Sequence, residues 1–379
     1  MTGPELSGAS LHIDLAALQR NYLRFCDAAG QAKSAATVKA DAYGLGLGPV
    51  ARALWQAGCR SFFVALPLEG VELRGVLPDA EIFVLHGLFA GAAEVYAKAG
   101  LTPVLAQPEE LCEWVAFCRA RGERHAAAIH FDTGIHRLGF SESQLRAIQP
   151  DDLAAFNLTL VMSHLANADA PEDEMNARQL ARFEALRQLL PPCRLSLANS
   201  PGSLLHNTFA QDLVRPGIGL YGGNPFGDRA NPFETVARLV APVMQLREVP
   251  EGERVGYTGS FTARRPSRIA VFSAGYRDGY PRALSSGPDG GPARVFIAGH
   301  FAPLAGRVSM DMITVDVTDI PAHLLARGTD AELLGDHVTL DELARLAGTI
   351  PYEILTRLGT RYARIYSGSE SPQQGAPHR

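Results

Sequence analysis

Short apolar runs alternate with longer amphipathic stretches from about residue 35 to about 220. The runs are ATVKA (36–40), FFVAL (62–66), IFVLH (82–86), TPVLA (102–106), AAIHF (127–131), LTLVM (158–162), RLSLA (194–198) and LVRPG (213–217). Between most of them lie helix-like segments, among them ARALWQAG, EELCEWVAFCRARG and MNARQLARFEALRQLL. Short buried strands alternating with helices predict βαβ units and a parallel sheet. Eight such strands predict a closed (β/α)8 barrel, with an open doubly wound sheet as the alternative. After about residue 230 the pattern changes. Runs such as RLVAPVMQLREV, RIAVFSAG, ARVFIAG and MITVDV are separated by Gly, Pro and Asp turns and interrupted by one helix-like stretch, LDELARLAG. This predicts a mainly antiparallel β domain. The fold class is therefore α/β plus β, with a barrel over 12–230 and a β domain over 231–366. Residues 1–11 are expected to pack with the β domain. The polar tail 367–379, rich in Gly, Pro and Ser, is expected to be disordered.

The 379 residues are 46% hydrophobic, enough for more than one core. The net charge of −5 comes with no Lys/Arg run, which argues against a nucleic-acid or anionic-membrane partner. No apolar stretch approaches the ~20 residues that span a bilayer. The start, MTGPELSGAS, lacks the basic and apolar regions of a secretory signal, so a cytoplasmic protein is expected. The five cysteines form no CxxC pair. They read as reduced, buried thiols and not as metal ligands, and no metal site is expected.

The chain has only three lysines, Lys33, Lys39 and Lys98. Lys39 reads as part of an apolar strand that ends in VKADAYGLG. Desolvation there would lower its pKa and make its amine a better nucleophile toward an aldehyde. Lys33 and Lys98 lie in polar surroundings. The mouth of a barrel is formed where strands end. Strand five leads into HFDTGIHRLGF with Arg137, strand six ends in MSHLANAD with His164, and strand seven ends in LANSPGSLL. Strand eight gives VRPGIGLYGG with Arg215. Ser200 and a helix that its turn opens, with the Gly217 and Ile218 amides, would suit a phosphate. Each residue alone also has a bland reading: a core histidine, a structural ion pair, an N-cap.

VKADAYGLG, DTGIHRLGF, MSHLANAD, ANSPGSLL, VRPGIGLYG, VGYTGSF, GYRDGYPR, GRVSMDM and YEILTRLG together resemble, in order, the motifs of the alanine racemase family. The resemblance runs from about residue 10 to about 366. It implies pyridoxal 5′-phosphate (PLP) carried on Lys39, with Tyr43, Tyr352, Ser200, Gly217 and Ile218 holding the phosphate. His164 would lie against the pyridine ring, and Arg215 would donate to its nitrogen. Arg137 and the Met310 backbone would bind the substrate carboxylate, and Tyr276 would line the entry. Tyr257 would be a second catalytic base beside Lys39. Tyr257 and Met310 would reach the site from a partner subunit, so a homodimer is implied, and the use would be D-alanine for a bacterial cell wall. One position departs from the family pattern. Where many members carry a carbamate-modified lysine, two places before the Asp of DTG, this chain has His130. A neutral histidine supplies no negative charge to orient Arg137. The competing readings are a serine or broad-specificity racemase, a PLP decarboxylase and a non-catalytic PLP carrier. A decarboxylase brings an acid, not Arg215, to the pyridine nitrogen. A carrier would need no β domain.

Overall fold

The computed structural model describes residues 6–227, 229–288 and 290–368, so the expected disordered tail lies almost wholly outside the described residues. The chain divides into two units, one made of residues Gln19–Phe233 and the other of the chain up to Leu18 together with that from Glu234.

In the first unit the strands Ala36–Thr37, Ser61–Val64, Glu81–Val84, Leu101–Leu105, Ala126–His130, Asn157–Met162 and Arg194–Ser196 pair in that order, all parallel. The eighth, Leu213–Val214, pairs with Lys33–Ser34. The ring closes through backbone bonds on both sides of the eighth strand. Ala35 N donates to Val214 O (2.9 Å) and Thr37 N to Pro216 O (2.9 Å), while Arg215 N donates to Ala198 O (3.0 Å). The sheet is thus the closed barrel and not the open alternative. Its interior is filled from nearly every strand: Ala35, Phe63, Phe83, Val104, Ala128, Leu160, Met162 and Leu213 form one buried cluster. Two large aromatic side chains, aliphatic residues and two alanines share this layer, so the interior is packed and not a pore. Phe63 and Phe83 stack at 4.7 Å between centroids. Burying each stabilises the barrel by about 1.5–3 kcal/mol. Helices such as Leu47–Gln56, Pro108–Arg121 and Glu174–Leu186 cover the outside.

The second unit is built on the 13-residue strand Ala237–Val249, which pairs along one end with Ser10–Asp14 and Asp330–Leu334 and along the other with Ser267–Phe272. A register shift between Val243 and Gln245 separates the two halves. Such a bulge bends a strand and lets it serve two partly separate sheets. All pairings are antiparallel except that of Ser10–Asp14 with Ala363–Ser367. From the first described residue through Leu18 the chain lies in this unit, past the boundary at 12 expected from sequence. Two helices, Leu340–Leu346 and Pro351–Thr356, interrupt the strands where one was expected. Among the described residues no helix is long and apolar enough to cross a membrane. All five cysteines are free, but only Cys59 and Cys118 are buried. Cys112 is exposed, against the expectation of five buried thiols.

Candidate active site

Lys39 is not inside the first strand, as the apolar run ATVKA suggested. The strand stops at Thr37, and Lys39 stands on the turn that follows. Ala40, Asp41, Ala42 and Tyr43 then adopt four consecutive left-handed conformations, with φ between 52° and 57°. L-residues avoid this region at a cost of roughly 1–2 kcal/mol each, so surrounding contacts must hold the turn. Asp41 Oδ1 accepts from Leu47 N (2.7 Å), closing the turn onto the next helix. Tyr43 stacks on Tyr221 at 4.6 Å, and Tyr221 in turn donates to Thr37 O (2.9 Å). Lys39 is half-buried. Burial, followed by the nearby positive charge of Arg137, lowers the proton affinity of its amine, and the negative charge of Glu69 opposes both. Lys33 and Lys98 are exposed, with Lys98 3.3 Å from Glu94.

Arg215 lies buried beyond the eighth strand. Its guanidinium donates to Ser163 O (2.6 Å), Leu197 O (3.3 Å) and Ser196 Oγ, and meets His164 Nδ1 at 3.3 Å. Arginine only donates. The His164 nitrogen that faces it is therefore the acceptor, which puts the proton of the neutral ring on Nε2. Burial, then the charges of Arg215 and Arg137, push His164 well below the ordinary histidine value. Burial also lowers Arg215, to about 9.

Ser200 and Gly217 meet where the seventh and eighth strands end. Ser200 Oγ accepts from Gly217 N at 2.7 Å and keeps its own proton to donate. A Cβ on Gly217 would fall 2.3 Å from the Tyr43 hydroxyl, so only glycine allows the tyrosine to approach. Ile218 opens the short 3-10 turn Ile218–Tyr221. Tyr43, Ser200, Gly217 and Ile218 thus come together from three strands. The helix expected after Ser200 is only a 3-10 turn, Gly202–Leu204, which Asn199 closes through Gly202 N (3.1 Å) and Ser203 N (2.8 Å).

Arg137 sits exposed on the loop after strand five. The loop is shaped by Asp132, whose Oδ1 accepts from the amides of Gly134 (2.8 Å), Ile135 (3.0 Å) and His136 (3.1 Å). Burial opposes the Asp132 charge, but these amides and His136 outweigh it and hold its carboxyl below the usual range. Gly139, at φ +117°, lets the chain return, because a Cβ there would fall 2.6 Å from Asp132 N. His130 is buried, and burial followed by the charge of Arg215 pushes it down to about 4. It is neutral at physiological pH. Its Nε2 finds no hydrogen-bond partner among the described residues.

A buried glutamine, absent from the sequence expectations, ties these loops together. Gln179 donates to Thr133 Oγ1 (3.0 Å) and His164 O (2.9 Å) and accepts from Ala166 N (2.8 Å). Thr133 Oγ1 also meets Ser163 Oγ at 2.8 Å.

The second unit brings together the other expected residues. Tyr257 opens the 3-10 turn at the tip of the hairpin formed by Arg254–Val255 and Phe261–Thr262, and it is 71% exposed. A cavity of about 410 Å³ lies beside it, lined also by Arg307, Ser309 and Met312. Met310 O accepts from Arg277 N (3.0 Å) and Ser309 O from Tyr276 N (3.0 Å), so Met310 and Tyr276 stand on bonded loops. The helix of Tyr352 is tied to the same loops, since Gly359 N donates to Asp278 O at 2.9 Å. Asp278 accepts from Gly275 N (3.0 Å) and from Arg361 (2.5 Å), which also reaches Asp311 (2.8 Å).

A lysine of lowered proton affinity thus stands just past the first strand of a closed barrel, with the bonded Ser200–Gly217 pair and a buried arginine where the later strands end. Residues 13–225 match the family described as alanine racemase, N-terminal domain, and residues 236–366 match its C-terminal domain. An alanine racemase of Methylobacterium nodulans is 47% identical, over 97% of this chain and 98% of the relative. A biosynthetic alanine racemase of Agrobacterium fabrum is 44% identical, over 94% and 93%. Among solved structures, an alanine racemase of Bartonella henselae with covalently bound pyridoxal phosphate is 40% identical. It superposes with a TM-score of 0.90, over 95% of this chain and 99% of that one. The chain belongs to the alanine racemase family.

Proposed function

We propose that this chain interconverts L-alanine and D-alanine with PLP held on Lys39, and that Lys39 and Tyr257 act as acid and base on opposite faces of the substrate. The observation that carries the reading is the Lys39 amine, half-buried and of lowered proton affinity, on the turn beside the Ser200–Gly217 cradle. The residues present fit the cofactor. The Ser200 hydroxyl has a proton left to donate, and the glycine at 217 leaves room for the Tyr43 hydroxyl. Tyr43, Ser200, Gly217, Ile218 and Tyr352 would hold the phosphate, His164 the ring and Arg215 its nitrogen. When bound, PLP withdraws electrons from the substrate α-carbon and so acidifies its proton.

The protein's part is to place and move protons. An unprotonated Lys39 amine takes the α-proton on one face, and the Tyr257 hydroxyl returns one on the other. Both groups have free pKa values near 10, too high for efficient bases at neutral pH. Burial and Arg137 supply part of the correction at Lys39. Arg215 donates a hydrogen bond and, although burial lowers it to about 9, keeps its proton at neutral pH. It therefore limits electron withdrawal and favours return of the proton over side reactions. Arg137 and the Met310 amide would hold the substrate carboxylate, and Tyr276 would narrow the entry. A homodimer that brings Tyr257 and Met310 to a partner's barrel is supported by their exposure, 71% and 52%, on a face that also carries Met312. The protein would work in the cytoplasm and supply D-alanine for the cell wall.

The test is an absorbance spectrum of the purified protein followed by chiral analysis with L-alanine and with L-serine. An absorbance near about 420 nm, absent in Lys39→Ala, with D-alanine forming faster than D-serine, is the expected result. Faster D-serine would shift the reading to a broader racemase. Bound cofactor without racemisation of either would point to a carrier.

A further inference from the structure

Ala40 N, the amide next to Lys39, donates to Glu69 Oε1 at 2.7 Å. The other oxygen of the same carboxylate accepts from Ala65 N (2.8 Å) and Leu66 N (3.1 Å), where the second strand gives way to its helix. We propose that Glu69 is a positioning residue for Lys39: from the neighbouring βα unit, its carboxylate pins the left-handed turn that presents the lysine.

Two observations separate this role from ordinary helix capping. A glutamate in the first turn of Pro67–Val76 suits the positive end of that helix and explains the bonds to Ala65 and Leu66. It does not explain why the second oxygen reaches across 29 positions to the first residue of a strained turn. The turn needs such a partner, because four L-residues in succession hold φ values that favour glycine. A carboxylate also matches the chemistry, since its two oxygens accept several amides at once and a charged acceptor makes the stronger bond. The negative charge is also the one that opposes Arg137 at the Lys39 amine. Removing it lowers the proton affinity of Lys39 further, whereas moving it by one methylene keeps the sign.

This inference rests on the reading of Lys39 as the cofactor lysine. The experiment compares the PLP-loaded wild-type chain with Glu69→Gln and Glu69→Asp. Three quantities are read: hydrogen exchange at the Ala40 amide, PLP trapped on Lys39 by borohydride, and the pH midpoint of the cofactor absorbance. Glu69→Gln is expected to speed Ala40 exchange about tenfold or more, to trap less PLP and to lower the midpoint. Glu69→Asp, too short to reach Ala40, is expected to speed exchange while keeping the midpoint near that of wild type. Unchanged Ala40 exchange in both variants would overturn the clamp. Faster exchange with unchanged trapping and midpoint would leave Glu69 a purely structural cap and overturn its positioning role. If the wild-type chain itself traps no PLP on Lys39, the reading of Lys39 falls and this role with it, whatever Ala40 exchange shows.

Discussion

His130 and His164 are both held neutral among positive neighbours, the first of them down to about 4. This has a consequence for stability. Below the ordinary histidine value of about 6.5 the unfolded chain takes up protons that the folded barrel refuses. Stability present above about pH 6.5 is therefore lost as pH falls toward 4. For His130 alone the loss is on the order of 3 kcal/mol once both values are passed. Thermal unfolding of His130→Gln, followed from pH 7 to 4.5, should show a shallower fall in Tm than wild type. An identical slope would mean that His130 is not the buried group that titrates. The same residue shows what sequence reading reached here. That position 130 departs from the family pattern was legible, and so was its neutrality. The unpartnered Nε2 was not, because it depends on what the surrounding strands leave out. Asp132 was visible in DTG but its three amide bonds were not, since they depend on how the loop turns at Gly134, which stands at φ +133°.

At the scale of elements, glycines show where loops meet. A Cβ on Gly275 would fall 2.2 Å from Met310 O, so the Tyr276 and Met310 loops touch only because residue 275 has no side chain. Gly275→Ala should push these loops apart, destabilise the second unit by about 1–3 kcal/mol, and raise KM for alanine more than it lowers kcat. Denaturant unfolding and steady-state kinetics check this; unchanged stability and KM would show that the loops are slack. The barrel strands were legible because most of their positions are buried on both faces and so read as apolar runs. The end of the first strand was misread, since ATVKA continues the apolar pattern past Thr37 while the backbone turns left-handed. Within KADAY only Asp41 is a type that tolerates that turn. The rest of its hold comes from Tyr221 and Glu69 through tertiary contacts. Gln179 escaped for a similar reason. It lies on an amphipathic helix, and only the folded barrel shows that it is fully buried.

For the whole molecule, the proposed exchange of Tyr257 between subunits makes a quantitative prediction. Lys39→Ala and Tyr257→Phe chains should each be nearly inactive alone. Unfolded together and refolded, they should recover about a quarter of wild-type activity, because half the dimers are mixed and each mixed dimer has one intact site. No recovery would mean that each chain builds its site from its own residues. The N- and C-terminal halves of the second unit were only partly legible: its strands follow an alternating pattern, but the parallel pairing of Ser10–Asp14 with Ala363–Ser367 joins segments far apart in sequence.

The most direct measurement of the central claim is the initial rate of α-proton exchange with deuterated solvent, starting from L-alanine and separately from D-alanine, in wild type and Tyr257→Phe. Two bases on opposite faces predict that the variant loses racemisation in both directions yet still exchanges the α-proton of one enantiomer, the one whose proton faces Lys39. Equal exchange of both enantiomers in the variant, or undiminished racemisation, would contradict the account and leave one base serving both faces.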